Sequence, residues 1–148
     1  MNIKICEQDL VFYYHKKFNF TKIISLIDSD FKLEKIIDDH LIKNFDDIPY
    51  KIFGYVEPKM DDIIDVLNFS KSFNDTDNIL IHCQMGISRS PAIAIGVLCQ
   101  HGYSPKEAYD YVRLIRSECS PNTLIIKLID EFLNLKGELI KLFFKETL

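Results

Sequence analysis

The run Asn78-Ile79-Leu80-Ile81-His82 is apolar and uncharged, follows the turn-rich "FNDTDN", and leads into a segment containing Gly86. A strand that does not alternate polar and apolar positions has no face to show to water, so it belongs in the middle of a sheet covered on both sides. From Ser90 the stretch "SPAIAIGVLCQH" reads as a helix, with Pro91 in its first turn and Gly102 just past its end. A buried strand, a short loop and a helix therefore follow one another in the chain. The remaining sequence must supply the other strands and the covering helices.

It does so in a consistent order. "IKI" (3–5), "KIISLI" (22–27) and "HLIKNF" (40–45) are short, isoleucine-rich runs expected as strands. Met60, Ile63, Ile64 and Leu67 fall at helical spacing and predict an amphipathic helix over about 60–73. "SPKE" (104–107) has the Ser, Pro and Glu of a capping box ahead of the stripe Ala108, Tyr111, Val112, Ile115. Asn122 fits the cap of a last helix in which Ile125, Leu128, Ile129 and Phe132 share a face. No repeat or linker interrupts the 148 residues, a length that most simply makes one domain over 1–148. The expected fold is an α/β sandwich with a site at the carboxyl end of the buried strand.

That end is unusual in its charge. Between Asp77 and Lys106 the one formally charged side chain, with His counted neutral, is Arg89, six positions after Cys83. A five-residue loop (Gln84, Met85, Gly86, Ile87, Ser88) leading into a helix amino terminus can turn its backbone N–H groups inward as an anion-binding nest, with Gly86 supplying the tight turn. The planar fork of Arg89 then binds two phosphoryl oxygens at once, so its missing partner would be the ligand. The same field predicts that Cys83 is a thiolate near neutral pH, since cysteines at helix amino termini beside a cation fall to roughly pKa 3.5–7.5. A nucleophile at the floor of a phosphate cup implies attack on phosphorus and a phosphocysteine intermediate. Asp47 in "NFDDIP", two positions beyond Phe45 along an extended chain, is the expected proton donor, with Asp46 the competing choice. Ser88 and Ser90 flank the arginine, and Ser90 is preferred as the hydroxyl that donates to the sulfur.

"HCQMGISRS" resembles the His-Cys-x-x-Gly-x-x-Arg-Ser/Thr signature of cysteine-dependent protein tyrosine phosphatases, and "GISRS" is most similar to the compact dual-specificity branch. A second stretch, "SPKEAYDYVRLIRSECSPNTLIIKLIDEF" (104–132), is similar to that branch's closing helices, including its Arg and Ser-Pro-Asn segment. The resemblance implies a tyrosine-phosphatase-like sandwich: a small central sheet with helices on both faces and a phosphate-binding loop between a buried strand and a helix. It makes Cys83 the nucleophile, Arg89 the phosphate clamp, Ser90 the thiolate's partner, Asn122 a brace on the loop and Asp47 the general acid. The 36 residues separating Asp47 from Cys83 imply an insertion within "IPYKIFGYVEP".

The expected substrate is a phosphorylated protein or peptide, with neither metal nor organic cofactor. The alternatives are a non-catalytic phosphate-binding module and a phosphatase for small-molecule, nucleotide or RNA 5′ phosphates. A net charge of -4 and a pI near 5.5 disfavour an extended nucleic-acid surface, and a loop without lysine disfavours phosphoinositides. The start "MNIKICEQDL" lacks a signal-peptide core and Ala92–Cys99 is far shorter than the roughly 18–20 residues that span a bilayer, so a cytoplasmic protein without membrane insertion is expected. Cys6, Cys83, Cys99 and Cys119 lack metal-site spacing or disulfide density. Cys99 is expected in the core, Cys6 and Cys119 have no visible role, a resolving partner for oxidised Cys83 being the alternative for either, and His82 is expected buried and hydrogen-bonded to loop backbone. The tail "GELIKLFFKETL" is expected to pack its apolar side on the core.

Overall fold

The computed structural model describes residues 1–144. Its sheet has four parallel strands, β1 (Asn2–Glu7), β2 (Lys22–Ile27), β3 (His40–Asn44) and β4 (Asn78–Cys83), in the order β1-β4-β2-β3. The central apolar run is thus an inner strand, buried from Ile79 to Cys83. Strand alternation divides its side chains: Ile79, Ile81 and Cys83 join the larger core, while Leu80 packs on the opposite face with Cys6, Val11, Phe20 and Ile23.

Four helices cover the larger face: α2 (Met60–Ser70), α3 (Arg89–Gln100), α4 (Pro105–Ile115) and α5 (Thr123–Phe132). Among them α3 is buried continuously from Arg89 to Leu98, as a helix that is apolar all round from Pro91 to Cys99 must be. Its approach to α5 depends on Gly96, where a Cβ would lie 2.7 Å from Ile129 Cδ1. The Ser104–Glu107 capping box starts α4, and Asn122 Oδ1 accepts from Ile125 N at 2.9 Å to start α5.

The helix α1 (Val11–Phe18) covers the smaller face and has no counterpart in the sequence reading. It is only two turns long, has no side-chain cap at its start, and follows a short 3-10 turn, so neither periodicity nor capping announces it. Predicted α2 ends at Ser70 instead of about residue 73, where two turn-forming residues follow. In the tail, the buried Asp130 carboxylate accepts from the N–H groups of Gly137, Leu139 and Ile140 at 2.9, 2.9 and 3.1 Å, which seats Leu139 in the core. Residues 145–148 of that predicted apolar tail lie outside the described residues.

Candidate active site

The alternation of β4 directs Cys83 toward the α3 side at the strand's last position. Between it and α3, all five carbonyls of Gln84–Ser88 accept hydrogen bonds from outside the loop. The donors are Gln8 N to Gln84 (3.0 Å), Arg116 Nη2 to Met85 (2.9 Å), Arg116 Nε to Gly86 (3.0 Å), Ser120 N to Ile87 (2.7 Å) and Asn122 N to Ser88 (3.0 Å). In a planar trans peptide the following N–H points opposite to the carbonyl, so the amides of Met85 to Arg89 face the concave side. That of Gly86 lies 3.3 Å from Cys83 Sγ, and Ser90 Oγ lies 3.1 Å from the same sulfur. Gly86 has φ +71°, and a Cβ there would come within 2.9 Å of the Cys6 carbonyl and 2.8 Å of Arg116 Nη2. The loop therefore requires glycine both for its backbone and for its space.

Arg89 opens α3 and is 3% exposed. Its Nη1 donates to Phe45 O at 2.8 Å and its Nη2 pairs with Asp28 Oδ1 at 2.8 Å, whereas its buried Nε has no partner among the described residues. A buried donor left unsatisfied is costly and points to a ligand that completes it. The hollow beside it holds about 240 Å³ and is lined by Asp28, Asp47, Cys83, Gln84, Met85, Ile87, Ser88 and Arg89. A larger hollow of about 500 Å³ runs along the β1 edge, but Cys83 and Arg89 do not line it.

The two candidate acids separate clearly. Asp47 lines the hollow, and its Oδ1 accepts from Ser88 Oγ at 2.7 Å and Asn122 Nδ2 at 2.9 Å. Asp46 turns away to close the base of the 47–55 excursion, accepting from Ser29 N, Ser29 Oγ and Val56 N at 2.8–3.0 Å. Burial acts upward on the Asp46 carboxyl, but the hydrogen bonds from Ser29 and Val56 and the charge of Arg89 together hold it below the usual carboxylate range. The 47–55 excursion itself has no regular element.

His82 faces the other side of the sheet and is fully buried. Its Nε2 lies 2.5 Å from Ser25 Oγ, which lies 2.6 Å from His40 Nε2. Ile36 N donates to His40 Nδ1 at 3.1 Å, so neutral His40 carries its proton on Nε2 and donates to Ser25. The single Ser25 proton then goes to His82 Nε2, and His82 Nδ1–H faces the Cys83 carbonyl at 3.4 Å. This polarised chain runs toward the backbone of Cys83. Burial, first in each case, lowers both rings to about 4.

Reading the sequence gave Ser25, His40, Asp28 and the Phe45 carbonyl no role, because each reaches the site only through sheet register or loop return. Arg116, noted only as part of the closing-helix resemblance, proves to be the brace on the Met85 and Gly86 carbonyls, held by Glu118 at 2.7 Å and Glu7 at 3.7 Å. Cys6 does not share the face of Cys83: it packs with Val11, Phe20 and Leu80, and burial pushes its thiol up to about 12. It is therefore poorly disposed as a resolving partner. Cys119 is half-buried, and burial raises its thiol too.

The chain is similar to known phosphatases in sequence and in fold. The stretch most similar to human dual specificity protein phosphatase 5 is 47% identical over 45 residues, covering 30% of this chain and 12% of that protein. Dual specificity protein phosphatase 1B of Arabidopsis thaliana is 31% identical over 93 residues, covering 59% of this chain and 56% of its own length. The chain thus spans only part of the length of these relatives. Among solved structures, the PTP-2 phosphatase of Cydia pomonella shares the fold at a TM-score of 0.66 and 22% identity, over 88% of this chain and 85% of that one. The sequence model of the dual specificity phosphatase catalytic domain matches residues 7–134, and the chain belongs to that family.

Proposed function

We propose that this chain hydrolyses phosphate monoesters on proteins, phosphotyrosine and with it phosphoserine or phosphothreonine, through a phosphocysteine intermediate. One observation carries the reading: Cys83 Sγ sits under inward-turned loop amides, beside an arginine whose buried Nε lacks a partner. A tetrahedral dianion satisfies that set of donors.

In the first step Cys83 Sγ, as thiolate, attacks phosphorus opposite the ester oxygen. The S–P bond forms, the P–O bond breaks, and Asp47 passes its proton to the departing oxygen. The amides of Met85 to Arg89 and the Arg89 fork hold the non-bridging oxygens, whose charge they meet without reorganising. In the second step a water oxygen attacks phosphorus while its proton goes to the Asp47 carboxylate. The S–P bond breaks and the electron pair returns to sulfur, where Gly86 N–H and Ser90 Oγ donate to it. Nucleophile, clamp and proton all come from the chain itself. A free thiolate requires a reducing compartment, in keeping with a cytoplasmic setting; among the described residues no helix is long and apolar enough to cross a membrane.

Steady-state hydrolysis of para-nitrophenyl phosphate, wild type beside Cys83→Ser, tests the reading. Turnover lost with that single oxygen-for-sulfur change, in a protein that still melts cooperatively, is the expected result. Turnover that survives it, or none in the reduced wild type, overturns the mechanism.

A further inference from the structure

Beside the phosphate cup lies a second hollow of about 290 Å³ that shares Asp28, Gln84 and Met85 with it and adds Gln8, Asp9 and Phe31. The orphan Nε of Arg89 marks where the phosphate sits, and this neighbour lies within reach of a residue that flanks that phosphate in a substrate. Besides Asp47, which carries the proton for the leaving group when substrate binds, the two linings hold the carboxylates Asp9 and Asp28 against the single guanidinium of Arg89. Once a phosphate dianion occupies the cup, that arginine is shared between it and Asp28, and the rim is left with excess negative charge.

The second hollow is also preformed. Asn44 Nδ2 donates to Asp28 O at 3.1 Å and to Phe31 O at 2.7 Å, which fixes the turn carrying Phe31. Gln8 N donates to Gln84 O at 3.0 Å, which fixes the turn carrying Asp9 against the phosphate loop. Phe31 is 47% and Met85 60% exposed, so an apolar wall stands beside the carboxylates. An aromatic face, a thioether and two carboxylates are what the stem and head of a long basic side chain require.

We propose that this hollow is a subsite for an arginine or lysine flanking the phosphorylated residue, so that the substrates are phosphoproteins with a basic residue beside the phosphate. The cation lies over Phe31 and Met85 with its head between Asp9 and Asp28, and offsets the charge that the phosphate brings. This rests on the phosphatase reading above and names the substrate class of that same site.

Phosphotyrosyl peptides that differ at one flanking position, carrying Arg, Ala or Glu in turn on each side of the phosphotyrosine, measure the preference as ratios of kcat/KM. On one side the Arg peptide should exceed the Ala peptide by about three- to tenfold, the size of a partly exposed ion pair with an aromatic contact, and the Glu peptide should be slowest. Raising ionic strength should shrink the ratio, and the double variant Asp9→Asn, Phe31→Ala should bring it close to one. Equal turnover of the three peptides on both sides, or a ratio untouched in the double variant, overturns the proposal. So does turnover of para-nitrophenyl phosphate without turnover of any peptide. If the wild type hydrolyses neither the peptides nor para-nitrophenyl phosphate, the phosphatase reading itself fails and the subsite falls with it.

Discussion

Asn122 Nδ2 lies 2.9 Å from Asp47 Oδ1, while Asn122 Oδ1 accepts the Ile125 amide that starts α5. One side chain therefore caps a helix and steers the proposed acid, and the two duties can be separated. Asn122→Ser keeps a capping acceptor but is too short to reach Asp47, whereas Asn122→Ala loses both. Both should lower kcat to a similar degree, about ten- to a hundredfold, as expected when a reacting group is misplaced. Asn122→Ala should also be less stable than Asn122→Ser by about 1 kcal/mol. Parallel melts and kcat values decide it; a wild-type kcat in Asn122→Ser would show that Asp47 does not depend on the amide.

The choice between adjacent aspartates is a leaving-group question. An alkyl or unsubstituted phenyl leaving group needs a proton in the transition state, and Asp47→Asn should cost about 10²–10⁴-fold there. The para-nitrophenolate departs with little help, so the same variant should lose far less on para-nitrophenyl phosphate. Asp46→Asn touches the closure of the 47–55 excursion and should leave the leaving-group slope flat. Rates over a graded series of aryl phosphates distinguish them, and a steep slope in the Asp46 variant would move the role by one residue.

At Gly86 backbone and space act together. Alanine there must adopt φ +71° while its Cβ presses within 2.9 Å of the Cys6 carbonyl and 2.8 Å of Arg116 Nη2. The loop can relieve this only by moving away from Arg116, which would free the Met85 and Gly86 carbonyls and turn the amides out of the cup. Gly86→Ala should destabilise the fold by about 1–3 kcal/mol and remove phosphate binding as well as turnover. Calorimetric titration with tungstate or inorganic phosphate reads the second effect, and unchanged affinity would refute the account of the nest.

What the sequence shows and what it hides follow from the range of the interactions. The strand, loop and helix around Cys83 are legible because their apolar pattern, Gly86 and Pro91 act within a few residues. The same holds for the Ser104 capping box and the Asn122 cap. Asp28 and Phe45 were invisible as partners of Arg89, since a carboxylate and a carbonyl 61 and 44 positions away meet it only when the parallel strands β2 and β3 end at the same end of the sheet as β4. Ser25 lay inside a correctly placed strand, yet nothing in "KIISLI" reveals that register sets it opposite His82. The α1 helix stayed hidden because its stability comes from docking Val11 and Phe18 on the sheet more than from any local signal.

The His40–Ser25–His82 chain makes stability depend on pH in a fixed direction. In the fold both rings titrate near 4, from an ordinary value of 6.5, because burial disfavours their charged forms. Unfolding restores the ordinary value, so between pH 6.5 and 4 the unfolded chain binds more protons and stability falls as pH falls. Above that window neither state is protonated at these rings, and their contribution is fully present. Below it both states are protonated, and no further loss comes from them. Each ring accounts for at most about 3 kcal/mol over the window. Carboxylates titrate in its lower part as well, so the informative quantity is the difference between wild type and a variant with one ring removed. In His40→Phe the decline in unfolding free energy from pH 7 to pH 4.5 should be smaller than in wild type by about 1–3 kcal/mol, whatever its stability at pH 7. Urea unfolding at several pH values measures this. Parallel curves for the two proteins would mean that His40 is not held neutral in the fold.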